Sequence, residues 1–258
     1  MNLRELWNEK QPTFGAWLAS ASTSSAESAA RVGFEYVCVD NQHGAVDYQI
    51  TVGMVQAILL GGSRPIARVP WNEPGIIGKM LDAGAQGVIV PMVNSAGEAE
   101  AVVRACRYPP LGERSFGPVL AGLRDSDYAG VANGSVAVIP MIETVHALQH
   151  IDDILAVPGV DAIYVGPADL SLSLGLPPGN NDDRKEFTEA LETIAGACRR
   201  HGVVPGIHAS GTLAARRLEQ GFQMITVSAD LVAMRFRMND ELGQARGARG
   251  DSKSGAIY

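Results

Sequence analysis

Cysteine is scarce in this chain: Cys38, Cys106 and Cys198 are the only three in 258 residues. An odd count excludes a fully paired disulfide framework, and no Cys-x-x-Cys or His-x-His offers a structural zinc site. Cys38 falls in a strand-like run and the other two in helix-like segments, so all three are expected as buried free thiols in a reducing cytoplasm. Long apolar runs are also missing. None reaches the roughly 20 residues that span a bilayer, and Met1-Asn2-Leu3-Arg4-Glu5 carries no signal-peptide core. Basic residues are outnumbered, 21 Lys and Arg against 28 Asp and Glu, for a net charge of -7. That balance argues against a nucleic-acid surface, and no basic patch stands ready for the phosphates of a CoA ester. Lys10, Lys79, Lys185 and Lys253 all lie outside strand-like runs. A Schiff-base enzyme built on a barrel needs a lysine at a strand end.

What is present is repetition. Eight apolar runs, at 13–19, 36–40, 65–69, 87–92, 136–142, 162–165, 204–207 and 224–227, alternate with amphipathic segments. Their interiors are rich in Val and Ile without polar alternation, as in parallel strands covered on both faces. Helical patterns at 24–32, 47–60, 75–83, 96–107, 184–201 and 213–220 lie between them. Many stop at glycine: Gly33, Gly61, Gly84, Gly202 and Gly221. Length, a 46% hydrophobic composition and eight βα units predict an α/β fold, a single-domain (β/α)8 barrel over residues 1–246. A doubly wound open sheet seldom uses eight regular units. The Gly- and Asp-rich segment 109–135 is expected at the end of the barrel away from the active-site loops. The small, polar tail 247–258 is expected to be mobile.

Barrel enzymes collect their chemistry at the C-terminal ends of the strands. Here those ends carry Trp17; Asp40, Gln42 and His43; Arg68; Asn94; Glu143; Asp169; His208; and Ser228 with Asp230. Glu143 and Asp169 close two successive apolar runs. Either they cap the helices that follow, or they form a hard-oxygen site for Mg2+, Mn2+ or Co2+, with room left for water and a chelating substrate. Arg68 sits in the apolar run Ile66-Ala67-Arg68-Val69, so its guanidinium needs an anion. That anion is a barrel acid such as Glu143 or a developing oxyanion. His43 is suited to moving protons, with Asp40 or Asp82 to fix its tautomer. His146, His150 and His201 fall on helices and are expected at the surface. His208, at a strand end, is a candidate for the pocket lining. A barrel that only binds a metabolite or a partner protein is the non-catalytic alternative, and this set of groups argues against it.

Several motifs, in order, carry a family resemblance: Phe14-Gly15-Ala16-Trp17, Asp40-Asn41-Gln42-His43-Gly44, Ala67-Arg68-Val69-Pro70-Trp71-Asn72, Leu81-Asp82-Ala83-Gly84-Ala85-Gln86-Gly87, Arg107-Tyr108-Pro109-Pro110, Ile142-Glu143-Thr144 and Val165-Gly166-Pro167-Ala168-Asp169-Leu170-Ser171. Together they resemble the HpcH/HpaI family of metal-dependent pyruvate aldolases, across roughly residues 13–230. The resemblance implies Glu143 and Asp169 as metal ligands and Arg68 against the keto oxygen of pyruvate. It implies His43 as the proton carrier, with Asp40 and Asp82 supporting it or the aldehyde pocket. Gly166, Ala168 and Asp169 would receive the pyruvate carboxylate, and Trp17 would form a pocket wall. It also implies a hexamer, a trimer of dimers, in which the last helix is exchanged between subunits. Two positions depart from the family pattern. Gln42 stands where a Glu often precedes the histidine, and His208 stands where other members carry an aliphatic residue. The segment Gly112-Glu113-Arg114-Ser115-Phe116-Gly117-Pro118 resembles the macrophomate-synthase-like branch, which also decarboxylates oxaloacetate to the pyruvate enolate.

Overall fold

The computed structural model describes residues 1–247. Most of the tail expected to be mobile therefore lies outside the described residues. Eight strands form a closed parallel barrel: β1 (Thr13–Leu18), β2 (Tyr36–Asp40), β3 (Arg64–Arg68), β4 (Gly87–Val90), β5 (Ala137–Ile142), β6 (Ala162–Val165), β7 (Val204–His208) and β8 (Met224–Ala229). Each pairs with the next, and β1 also pairs with β8, so no sheet edge remains. The expected (β/α)8 barrel is observed, with strand ends within two residues of those read from the sequence.

Period-two alternation decides what fills the barrel. Trp17, Tyr36, Cys38, Ile66, Ile89, Ile139, Met141, Tyr164 and Met224 point inward and form one buried cluster. Gly15 leaves room for the Tyr36 ring, which a Cβ there would meet at 2.1 Å. The opposite faces of the strands pack on the outer helices, as Val37 and Val39 do with Met54 and Ile58. Serine or aspartate starts several of these helices: Ser22, Asp47 and Ser95 each accept from a backbone N–H of the first turn. The glycine stops behave as expected at Gly33, Gly84, Gly202 and Gly221, all with positive φ. At the second stop, Gly61 stays right-handed and Gly62 makes the turn.

Two short elements add to the sequence reading. The helix Leu3–Asn8 closes the N-terminal end of the barrel, with Leu3, Leu6 and Trp7 buried. Its Asn2–Glu5 capping box is visible in the sequence. Segment 109–135 contains helices Ala121–Arg124 and Tyr128–Ser135 and packs beside the C-terminal end of helix Pro74–Asp82. That is the end of the barrel away from the strand C-termini, as expected. All three cysteines are buried and free. His146, His150 and His201 are exposed. Among the described residues no helix is long and apolar enough to cross a membrane.

Candidate active site at the strand C-termini

The same alternation that fills the barrel carries polar groups to its mouth. Asp40 follows Cys38 by two residues, Arg68 follows Ile66, and Glu143 follows Met141. Register then makes Asp40 and Arg68 direct partners on β2 and β3. The guanidinium donates to Asp40 through Nε at 2.9 Å and Nη2 at 2.6 Å. Both residues are almost fully buried. The same carboxylate accepts from Trp17 Nε1 at 3.2 Å and from the backbone N–H groups of Gln42 and His43. Burial alone would raise the Asp40 pKa, but these donors and the Arg68 charge outweigh it and hold it below the ordinary carboxylate value. The anion that Arg68 requires is therefore Asp40, and Glu143 is a more distant charge.

The turn that Asp40 stabilises sets His43 at the exposed rim. Gly44 closes that turn, where a Cβ would come within 2.3 Å of the Asp40 carbonyl oxygen. Gln42 sits beside it, half-buried. Asp82 is not brought to this mouth within the chain. It ends helix Pro74–Asp82, nine residues and about 13 Å along the helix from the top of the barrel. There it binds Arg114 Nη2 at 2.7 Å. Asp40, by contrast, lies at the turn that carries His43 and accepts from its backbone N–H at 3.2 Å. The sequence motif carried no information on which end of the helix faces the site.

Glu143 and Asp169 follow the paired strands β5 and β6, and the Asp169 charge acts on Glu143. Capping is assigned elsewhere: Thr144 caps helix Val145–Gln149 and Gly166 stands at the N-cap of Pro167–Ser173. Glu143 Oε1 accepts from the Met92 N–H at 2.8 Å. Oε2 is buried and has no hydrogen-bond partner. Burial raises the Glu143 pKa and the Asp169 charge raises it further, against the Met92 N–H and Arg68, to about 7. Met92 reaches that carboxylate from a left-handed conformation, φ +56°, which costs a non-glycine residue about 1–2 kcal/mol. Neither the Met92 bond nor its strain is legible in sequence. Gly166 completes the cradle: a Cβ there would lie 2.4 Å from Glu143 Oε2.

An orphaned buried oxygen, a second carboxylate whose charge acts on it and a glycine that keeps the space clear together suit a divalent cation with oxygen ligands. Among the described residues no group of three His, Cys, Asp or Glu could hold a metal, so this pair would leave most coordination positions to water and substrate. Beyond Pro167, which has no N–H, the first turn of the following helix presents the backbone N–H groups of Ala168 and Asp169.

Trp17 forms the floor. It lies over Tyr164 with 5.5 Å between centroids, takes the Arg68 guanidinium at 4.9 Å, and receives His208 edge-on at 5.2 Å. Burial, then the Arg68 charge, push the His208 pKa down to about 4, so the ring is neutral at pH 7. Tyr164, whose Oη lies 3.4 Å from His208 Nδ1, and Thr226, which accepts from Tyr164, were missed in sequence because each looks like ordinary strand filling.

A closed parallel barrel with an acid pair and a buried arginine at its strand C-termini defines an enzyme-like mouth. The HpcH/HpaI aldolase/citrate lyase family model matches residues 13–235, and the chain belongs to that family. It is 39% identical over 249 residues to a hydroxypyruvate/pyruvate aldolase of Rhizorhabdus wittichii, covering 95% of this chain and 98% of the relative. It is 37% identical over 253 residues to a 4-hydroxy-2-oxo-heptane-1,7-dioate aldolase of Escherichia coli, covering 96% and 95%. Among solved structures, macrophomate synthase superposes with a TM-score of 0.86 at 27% identity, covering 95% of this chain and 89% of that one.

Proposed function

We propose that the protein is a divalent-metal-dependent aldolase. It forms the enolate of pyruvate or a close 2-oxo acid and adds it reversibly to an aldehyde, cleaving 4-hydroxy-2-oxo acids in reverse. The observation that carries this reading is the Glu143–Asp169 pair, with Oε2 lacking a donor, in the same mouth as the Arg68 guanidinium. Mg2+, Mn2+ or Co2+ bound by the pair supplies Lewis acidity to the keto group. Arg68, locked by Asp40, aims fixed positive charge at the oxygen where the enolate charge develops. Ala168 and Asp169 N–H groups hold the carboxylate, and the Trp17 floor keeps that side dry. Gln42 and His208 line the remaining space. His43 at the rim moves the proton between C3, or the aldol hydroxyl, and water.

The test is exchange of pyruvate methyl protons into D2O, followed by an aldehyde panel. Exchange is expected with a divalent cation and is expected to stop in EDTA; full-rate cleavage in EDTA overturns the reading. Oxaloacetate belongs in the same assay, because loss of CO2 yields the same enolate. Its turnover relative to hydroxy-oxo acids separates a decarboxylase from an aldolase. The three buried thiols fit a reducing cytoplasm.

The last helix, Asp230–Ala245, supports exchange between subunits in a trimer of dimers. It has no buried residue, and Leu231, Met234, Met238 and Leu242 are exposed at spacings of three and four along one stripe. The wild type is expected as a hexamer by light scattering, and Met234→Glu with Met238→Glu as a smaller species. A double variant of unchanged mass would remove this helix from the interface.

A further inference from the structure

A polar ladder crosses the barrel beneath the mouth and ends on His208. Tyr164 Oη donates to Thr226 Oγ1 at 2.6 Å, and Tyr36 Oη lies 2.9 Å from the same oxygen. Tyr164 Oη also lies 3.4 Å from His208 Nδ1. A phenol has one proton, and here Thr226 receives it. Tyr164 can therefore meet the imidazole only as an acceptor, which puts the ring hydrogen on Nδ1 and the lone pair on Nε2. Among the described residues no protein group bonds Nε2, and Nε2 is not one of the buried polar atoms without a partner, so it retains access to the mouth.

The ring is also held in place. Trp17 packs against it edge-on at 5.2 Å, and Asn180 Nδ2 lies 3.5 Å from the His208 carbonyl oxygen. Asn180 is itself held by Arg217, which is buried and bidentate to Asp182 at 2.7 and 2.8 Å. A neutral, oriented acceptor thus stands in a mouth whose other groups bind cations or anions. The keto group and carboxylate of pyruvate have no hydrogen to give it, and neither has a simple aldehyde. A substrate hydroxyl has.

We propose that His208 selects hydroxylated substrates, its Nε2 accepting a hydrogen bond from a hydroxyl on one of the two reacting molecules. That hydroxyl is C3–OH of a 3-hydroxy-2-oxo acid donor or the α-hydroxyl of a 2-hydroxyaldehyde acceptor. This selection rests on the aldolase reading above.

Two ratios of kcat/KM test it: hydroxypyruvate over pyruvate with one fixed aldehyde, and glycolaldehyde over acetaldehyde with pyruvate. His208→Leu is expected to lower at least one ratio about tenfold, the size of one hydrogen bond left unmade. The ratio that falls identifies which molecule carries the hydroxyl. His208→Gln, whose terminal oxygen can stand near the Nε2 position, should recover part of the loss. Both ratios unchanged within about twofold in His208→Leu overturn the proposal. So does a 15N spectrum of histidine-labelled protein, assigned with His208→Gln, that places the ring hydrogen on Nε2. Tyr164→Phe, read in the same spectrum, is expected to release the Nδ1–H preference. If the wild type shows the expected tautomer but no metal-dependent exchange of pyruvate protons, the aldolase reading falls and the selection falls with it.

Discussion

Arg68→Ala is expected to lower aldol turnover by about 10²–10³, the usual loss when one preorganised oxyanion donor is removed. The cation site should survive, because Glu143 follows β5 and Asp169 lies in the helix after β6, and Glu143 is held by the Met92 N–H. Binding of Mn2+, followed by its relaxation signal, is therefore expected to persist while turnover collapses. The same substitution has a second cost. Asp40 is buried and would lose two of its five donors. Breaking a buried ion pair from one side destabilises by about 3–5 kcal/mol, because the remaining charge stays uncompensated. Arg68→Met combined with Asp40→Asn should recover part of that stability, since no lone charge remains, without recovering turnover. Near wild-type turnover in folded Arg68→Ala would end the role assigned to this guanidinium. Recovered turnover in the double variant would move that role to another group.

The Arg68–Asp40 pair also shows where sequence reading stops. That Arg68 needed an anion followed from one charge in an apolar run. Which anion it took depended on register between β2 and β3, because Asp40↔Arg68 is a cross-strand pair of residues 28 apart. Strand positions were legible because burial on both faces writes long Val and Ile runs into the chain. Acids at strand ends were legible because those runs stop at them. Asp82 was not, because a helix-end acid can face a site, solvent or a neighbouring segment, and only packing against 109–135 decides it. Helix Tyr128–Ser135 escaped notice since its small residues, Ala129, Gly130, Ala132, Gly134 and Ser135, carry little periodic signal. Met92 was invisible for a different reason: its contribution is a backbone N–H delivered by an unusual φ.

That N–H does not compensate for the burial of Glu143, and the imbalance has a measurable sign. The folded pKa of Glu143 is raised to about 7 from an ordinary 4.5. Between those values the folded metal-free protein holds a proton that the unfolded chain has lost. Its favourable contribution is therefore complete below pH 4.5 and disappears as pH rises through 7, by about 3 kcal/mol in all. Urea denaturation in EDTA at pH 5, 6, 7 and 8 should show that decline. Glu143→Gln has no such proton to lose, so the wild-type-minus-variant difference should fall with pH and then level off. Asp82 and Asp161, also raised by burial, contribute to both proteins and cancel in the difference. Adding Mg2+ or Mn2+ at pH 8 should restore the wild type, by about 2.7 kcal/mol at a hundredfold excess over Kd, and should leave Glu143→Gln nearly unmoved. The variant is also expected to lose metal-dependent turnover altogether, because the amide cannot supply the second negative oxygen. A flat pH difference in EDTA would mean that Glu143 is solvated in the free protein. Stabilisation of Glu143→Gln by the cation equal to that of the wild type would place the cation elsewhere.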